Sequence, residues 1–140
     1  PLHAAAVAGD AKAVKALVDA GASLEAEDHR KRRPLHWAAY KGHAEATSAL
    51  CEAGASLEAA DDYKKTPLHL ASEKGQIGAI KALVEAGASV EAQGADADKR
   101  TPLDVALDEQ SKQTLIDARK FYRRMIDENM TIAPDRKEEL

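Results

Sequence analysis

The sequence predicts an all-α repeat solenoid, and three observations lead to that fold class. Segments that open with proline start 33, 33 and 35 residues apart, at Pro1, Pro34, Pro67 and Pro102. Two series of glycines keep the 33-residue register: Gly9, Gly42 and Gly75, and Gly21, Gly54 and Gly87. Within the segments, apolar residues recur at helical spacing. A fixed period of this length indicates stacked supersecondary units that bury their apolar faces against one another.

Each unit is predicted to contain two helices, as the third unit illustrates. Its first helix begins at Pro67, because Thr66 is a preferred N-cap residue and proline suits the first helical position. Gly75 ends this helix. A second helix follows and ends at Gly87, with one buried face formed by Ile77, Ile80, Leu83 and Val84. The polar segment 88–100 is predicted to form an extended loop or hairpin before the next unit.

These motifs resemble the ankyrin repeat family. The resemblance rests on TPLHLA at residues 66–71, on the Gly-His or Gly-Gln pair after the first helix, on ALVEAGASVEA at residues 82–92 and on the 33-residue period. It covers residues 1 to 120, and it implies stacked ankyrin helix-turn-helix units with projecting β-hairpin loops. In such a solenoid the hairpins and the first helices line a concave groove. We therefore expect an ankyrin repeat domain over residues 1–128, with repeats starting near 1, 34, 67 and 102, and a charged tail over 129–140.

The chain departs from the family pattern in its loops. The family usually has glycine two residues before the capping threonine, where this chain has Lys31, Lys64 and Lys99. A non-glycine residue in the left-handed conformation costs about 1–2 kcal/mol. At the second unit Arg33 replaces the capping threonine, which is expected to cost about 1 kcal/mol. The third inter-repeat loop, around QGADADKR, is also two residues longer than the other two.

The two terminal units differ from the internal ones in opposite ways. In the fourth unit Asp104, Leu107 and Gln110 depart from the repeat pattern, and Arg119 puts charge where the other units have Val18, Cys51 and Val84. Its last helix continues through LIDARKFYRRMIDEN, as expected for a C-terminal cap with no unit to pack upon. The first unit, LHAAAVAG, is apolar on every side. Sequence alone therefore suggests that the native protein extends upstream of Pro1.

Composition narrows the classes of function. The net charge is −4, so no global positive field favours nucleic acid, and the single cysteine excludes a disulfide framework within the chain. No apolar run is long enough to cross a membrane. We expect a cytoplasmic location, with a nuclear one possible, because residues 30–33 form the basic run RKRR. By register residues 29–33 align with residues 62–66 and 97–101, which places the run at a hairpin tip, and this favours partner contact over nuclear import or nucleic-acid binding.

Histidines recur at His3, His36 and His69, but a shared metal site is disfavoured because stacked units are too far apart to place three ligands about 2 Å from one ion. The resemblance implies instead that these histidines join neighbouring units by hydrogen bonds. Cys51 takes the place of valine in the sister units and is expected to be an inert core thiol. Trp37 is predicted to pack in the core, whereas the resemblance places Tyr40 and Lys41 on the groove.

No phosphate-binding glycine loop, metal-ligand cluster or acid–base pair is recognisable, so we predict a protein that is not an enzyme and needs no cofactor, metal or small-molecule substrate. The leading hypothesis is a protein–protein interaction module whose partner presents acidic groups to the first two hairpin tips. Two alternatives stay open: a substrate-recognition module of a larger enzyme, or a structural subunit of a large assembly. The predicted partner-binding residues are His29, Arg30, Arg32, Tyr40, Lys41, Asp62, Tyr63, Lys65, Glu73, Lys74, Arg100 and Asp108.

Overall fold

A computed structural model describes residues 2–92 and 100–127, and within these ranges the chain forms eight helices arranged in four pairs. The sequence predicts a longer third loop and a charged tail, and residues 93–99 of that loop and the whole tail lie outside the described residues. The helices are α1 (Leu2–Ala8), α2 (Ala11–Asp19), α3 (Pro34–Lys41), α4 (Ala44–Glu52), α5 (Pro67–Glu73), α6 (Ile77–Ala86), α7 (Pro102–Val105) and α8 (Glu109–Asp127).

The helices lie in two rows, and the core fills the space between and along them. The first helices α1, α3, α5 and α7 pack in sequence on one side, and the second helices α2, α4, α6 and α8 pack in sequence on the other. Alanines at the contacts are fully buried, among them Ala38, Ala46 and Ala79. Leucine and isoleucine fill the layers between repeats, chiefly Leu35, Leu50, Leu68, Ile80 and Leu83. This arrangement confirms the predicted all-α repeat solenoid.

The starts of the first helices follow the predicted caps. Thr66 and Thr101 accept hydrogen bonds from the backbone N–H groups of His69 and Asp104, each at 3.3 Å. Arg33 has an extended backbone at the same position of α3, but its side chain makes no cap hydrogen bond. Half of the capping arrangement remains there, because the Arg33 N–H donates to Nδ1 of His36 at 3.1 Å. The loss of the threonine cap in the second unit is therefore partial.

The recurring histidines join neighbouring repeats, as expected. Nε2 of His3 lies 2.9 Å from the carbonyl oxygen of Arg32, and Nε2 of His36 lies 3.1 Å from that of Lys65. Nε2 of His69 lies 2.8 Å from the carbonyl oxygen of Arg100. In each case a helix near the start of one repeat holds the loop that leads into the next. The hairpin loops are thereby fixed relative to the first helices.

The described hairpin loops are closed by turns, and no strand is assigned in residues 2–92 or 100–127. Their tips contain the two non-glycine residues with positive φ in these ranges, Lys31 at 60° and Lys64 at 58°. Both lysines thus take the left-handed conformation that the family pattern implies, whereas Lys99 lies outside the described residues. The two tips are also joined directly, since the N–H of Asp62 donates to the carbonyl oxygen of Arg30 at 3.0 Å.

The fourth unit differs from the others in having a shorter first helix and a longer second helix. Helix α7 has four residues, against seven for α5, and α8 has nineteen, against ten for α6. Helix α8 begins early because the Asp108 carboxylate accepts the Ser111 N–H at 2.8 Å, which caps the helix at the position where the other units have Val7, Tyr40 and Glu73. Glu91 lies 4.0 Å from Arg119 and 3.9 Å from Arg123 of α8. The charge predicted on this face thus pairs with the preceding repeat.

Candidate binding surface

The most distinctive side-chain arrangement on the row of first helices is a group of aromatic and cationic residues, which we name the Tyr40 cluster: Arg32, Trp37, Tyr40, Lys41 and Lys74. The rings of Trp37 and Tyr40 meet edge to face, with centroids 5.8 Å apart and an interplanar angle of 79°. Nζ of Lys41 lies 5.8 Å from the Tyr40 centroid, and Nζ of Lys74 lies 5.2 Å from it. Cations at such distances are attracted to the ring by its quadrupole.

Two neighbouring repeats supply this cluster. Trp37 and Tyr40 are three residues apart on α3, and this spacing puts them on one helix face. Lys41 is the last residue of α3, and Lys74 is the C-cap of α5 in the next repeat. The stacking of α3 on α5 therefore brings two lysines from adjacent repeats to a single tyrosine ring. No local sequence motif contains both lysines, so the repeat register is what joins them.

Arg32 lies on the buried side of the cluster. It was predicted to contact a partner, but the structure corrects this, because Arg32 is only 8% exposed. Its Nε donates to Oδ2 of Asp61 at 3.2 Å, and its Cζ lies 5.2 Å from the Trp37 centroid and 5.5 Å from the Tyr40 centroid. Asp61 is itself buried. The guanidinium is thus neutralised inside the protein and supports both rings from beneath.

Trp37 has a larger role than core packing. Part of the ring packs against the core as predicted, but its Nε1–H donates to Oδ2 of Asp28 at 2.7 Å. The other carboxylate oxygen of Asp28 accepts the N–H groups of Arg30 and Arg32, each at 2.9 Å. Burial raises the pKa of Asp28, but these hydrogen bonds from Arg32, Trp37 and Arg30 outweigh burial and lower the pKa below its ordinary value. Asp28 therefore fixes the first tip to the indole as an anion.

The second hairpin tip adds an exposed aromatic ring beside an ion pair. Tyr63 is 62% exposed, and Nζ of Lys65 lies 5.8 Å from its ring centroid. The same Nζ lies 2.6 Å from Oε1 of Glu73 on α5, in a half-buried ion pair. The structure therefore brings Tyr63, Lys65 and Glu73 together at one edge of the surface.

Several cations of this surface have no nearby acid. Within residues 2–92 and 100–127, no carboxylate lies within 4 Å of the charged groups of Arg30, Lys41 or Lys74. By contrast, Arg33 is paired, with Glu25 at 2.7 Å and Glu27 at 3.4 Å. The surface around Tyr40 is consequently positive, although the chain as a whole carries a net charge of −4.

The remaining predicted residues lie around this surface or serve the fold. His29, Asp62 and Arg100 are exposed in the loops. Asp108 is exposed too, but its carboxylate caps α8 through the Ser111 N–H, and this hydrogen bond lowers its pKa. Sequence reasoning gave Asp28 and Asp61 a structural role but did not predict their contacts with Trp37 and Arg32, or the outer face of Trp37. The available signal was the three-residue spacing of Trp37 and Tyr40 beside a basic tip.

The described residues contain no group of three or more histidines, cysteines and carboxylates that would hold a metal ion. Cys51 is half-buried, and burial raises the pKa of its thiol to about 11. None of the helices in the described ranges is both long and apolar enough to cross a bilayer.

Comparison with known proteins agrees with the repeat architecture. A family model of ankyrin repeats, in three copies, matches residues 2–94. No curated protein matches the chain. The matched range holds the first three helix pairs and the whole Tyr40 cluster, and it ends before α7 and α8.

Proposed function

Because the chain belongs to the ankyrin repeat family, we propose that its concave surface binds a segment of another protein at the Tyr40 cluster. Ankyrin repeats are generally protein–protein interaction modules and are typically non-catalytic. The scaffold is shared by proteins with different partners, so the choice of partner depends on surface side chains.

One observation carries this proposal: Lys41 and Lys74 converge on the ring of Tyr40 from adjacent repeats with no described carboxylate within 4 Å. Two like charges held near one ring repel each other, and a bound anion relieves that repulsion. Tyrosine is among the residues that most often anchor interfaces. The expected occupant is therefore an acidic segment whose apolar part covers Tyr40.

The hairpin tips extend the proposed contact surface. Arg30 adds a third cation that no described carboxylate pairs with, at the first tip, and Tyr63 adds an exposed ring at the second. His29 and Asp62 lie in the same two loops, Arg100 lies in the loop that follows the third repeat, and together they add a rim of mixed charge. An acidic partner is attracted over a distance by this positive surface, so association is expected to slow as salt is added.

The test starts with identification of the partner by crosslinking and affinity purification. Binding of that partner is then measured by surface plasmon resonance for the double variant Lys41→Glu/Lys74→Glu. The matched control is Lys12→Glu/Lys15→Glu, which makes the same charge change on the exposed side of α2. We expect the cluster variant to weaken binding at least about tenfold, mainly through slower association, and the control to change it less than about twofold.

Two outcomes would overturn the proposal. Equal losses in both variants would show that only the total charge matters. Unchanged binding in the cluster variant would place the contact elsewhere on the protein. Circular dichroism of both variants verifies that the fold is intact, which is expected because all four lysines are exposed.

A further inference from the structure

Helix α8 carries a largely apolar seam that begins at the edge of the repeat core, where Ala118 packs against it, and continues away from the core to Phe121. Thr114, Ala118, Phe121 and Met125 follow one another at spacings of four, three and four residues. This is the 3.5-residue repeat by which one helix packs along another. Phe121 in this seam is 58% exposed, so the rest of the protein covers less than half of this large aromatic residue. The seam is thus suited to a second helix.

The seam forms one wall of a groove of about 690 Å³ between α6 and α8. Its apolar lining comes from Val84, Ala118, Phe121, Tyr122 and Met125. The Tyr122 hydroxyl donates to the carbonyl oxygen of Val84, which fixes α8 against the end of α6. Because α8 has nineteen residues and α6 only ten, the C-terminal half of α8 has no equally long neighbour in its row.

We propose that the occupant of this groove is α8 of a second copy of the chain, packed antiparallel about a twofold axis. An antiparallel pair with Ala118 of one copy opposite Phe121 of the other puts a small side chain against a large one in each central layer. The outer layers then pair Thr114 with Met125. A twofold interface repeats each contact twice, so one complementary pair fills both sides.

Charges beside the seam have the same self-complementary order. Asp117 and Arg124 are one heptad apart, each directly before a seam position. In the antiparallel arrangement Asp117 of one copy lies opposite Arg124 of the other, and the converse pair forms by symmetry. Charged residues at such flanking positions set partner choice and orientation between helices. Parallel helices would instead bring Asp117 near Tyr122, so the charges favour the antiparallel arrangement.

The paired surface belongs to the row of second helices, whereas the Tyr40 cluster belongs to the row of first helices. A dimer formed through α8 therefore leaves both copies of the cluster open. Two linked binding sites would then raise the avidity for a partner that carries two acidic segments. This inference does not depend on the proposed function, since it concerns a different surface.

The test is sedimentation equilibrium of the full 140-residue chain over a wide concentration range. The average mass is expected to rise from 15.0 kDa toward twice that value. Phe121→Asp should remain a monomer throughout, and Asp117→Arg should weaken association at least about tenfold by opposing two arginines. The charge-swapped chain Asp117→Arg/Arg124→Asp should recover most of the lost affinity. Lys120→Glu, on the polar side of the same helix, is the control and should dimerise as the parent does.

A parent chain that stays monomeric at every concentration would overturn the proposal. So would a dimer that Phe121→Asp leaves intact, because its interface would lie elsewhere. If the charge-swapped chain associated no better than Asp117→Arg alone, the antiparallel arrangement would be wrong. Helical circular dichroism distinguishes loss of pairing from loss of fold.

Discussion

Nε of Arg32 donates to Oδ2 of Asp61 across 3.2 Å, and the two side chains are 10% and 1% exposed. This ion pair joins the first hairpin loop to the second. It also holds the Arg32 guanidinium near the rings of Trp37 and Tyr40, so this one contact contributes both to the stacking of two repeats and to the shape of the Tyr40 cluster.

Removal of Arg32 should destabilise the protein far more than removal of an exposed arginine from the same tip. In Arg32→Met, Asp61 stays buried with only its backbone partners, the N–H groups of Tyr63 and Lys65. We expect a loss of about 3 kcal/mol in the free energy of unfolding, because an unpaired buried charge is costly. Arg30→Met should change it by less than about 0.5 kcal/mol. Urea denaturation measures both, and equal small losses would show that the ion pair contributes little.

Relief of the left-handed strain at the second tip should stabilise the protein. Lys64 has φ of 58°, a region that glycine enters without a steric cost. Lys64→Gly is expected to raise the free energy of unfolding by about 0.5–1 kcal/mol, after the added flexibility of the unfolded chain is counted. Tyr63→Gly at the neighbouring position lacks this strain and should destabilise. A stabilisation of both variants, or of neither, would argue against strain as the cause.

Two buried threonines should respond in opposite directions to the same substitution. Thr47 is fully buried at the position of Val14 and Ile80, and its Oγ1 has no hydrogen-bond partner in the described structure. Thr47→Val removes that unpaired hydroxyl and should stabilise by about 1 kcal/mol. Thr66→Val removes the cap of α5 and should destabilise by about 1 kcal/mol. Thermal unfolding of the two variants checks the pair, and a destabilised Thr47→Val would mean that its hydroxyl is satisfied in solution.

The fold followed from the sequence because its signals are local and repeated. Thr66 before Pro67, and glycines at a constant spacing, predict helix ends without any knowledge of tertiary contacts. Because the motif recurs, the equivalent helices of successive repeats are predicted to pack on one another. The shortening of α7 was not foreseen, because it depends on Asp108 capping α8 where the other repeats have Val7, Tyr40 and Glu73.

The binding surface was only partly predictable, since it is formed between repeats. Tyr40, Lys41 and Lys74 were each expected to be exposed, but their convergence depends on how α3 packs on α5. Arg32 was wrongly predicted to contact a partner because a basic run suggests solvent exposure. Its buried partner Asp61 lies 29 residues away in the sequence. A charge becomes buried only where a distant group compensates it, and single-sequence reasoning does not detect such pairs.

Acid should weaken the fold through His36. Its Nδ1 accepts the Arg33 N–H and its Nε2–H donates to Lys65, an arrangement that requires a neutral ring. Burial lowers the pKa of His36 below 6.5, although the hydrogen bond to Lys65 and the charge of Asp61 oppose the shift. Below about pH 6.5 the unfolded chain therefore binds a proton that the folded chain does not, and the free energy of unfolding falls as pH falls.

This titration is isolated by a comparison of His36→Gln with the exposed His29→Gln. Urea denaturation is measured at pH values from 8 to 5. As the pH falls, the free energy of unfolding should decrease less steeply in His36→Gln than in the parent, by up to about 1.4 kcal/mol per pH unit. The His29→Gln profile should follow the parent. If the two variants had the same pH dependence as the parent, protonation of His36 would not be linked to unfolding.

Cys51 should be unreactive in the folded protein despite its partial exposure. Burial, together with the charge of Glu52, raises the pKa of the thiol to about 11 from an ordinary 9.0. At pH 8 the thiolate fraction is then about a thousandth, roughly a hundredfold below that of the unfolded chain. Iodoacetamide labelling followed by mass spectrometry should be slower by at least that factor in buffer than in guanidinium chloride. Cys51→Val, which restores the residue of the sister repeats, should unfold within about 1 kcal/mol of the parent. Rapid labelling of the native protein, with an unchanged rate after denaturation, would mean that the thiol is open to solvent and that α4 does not bury it.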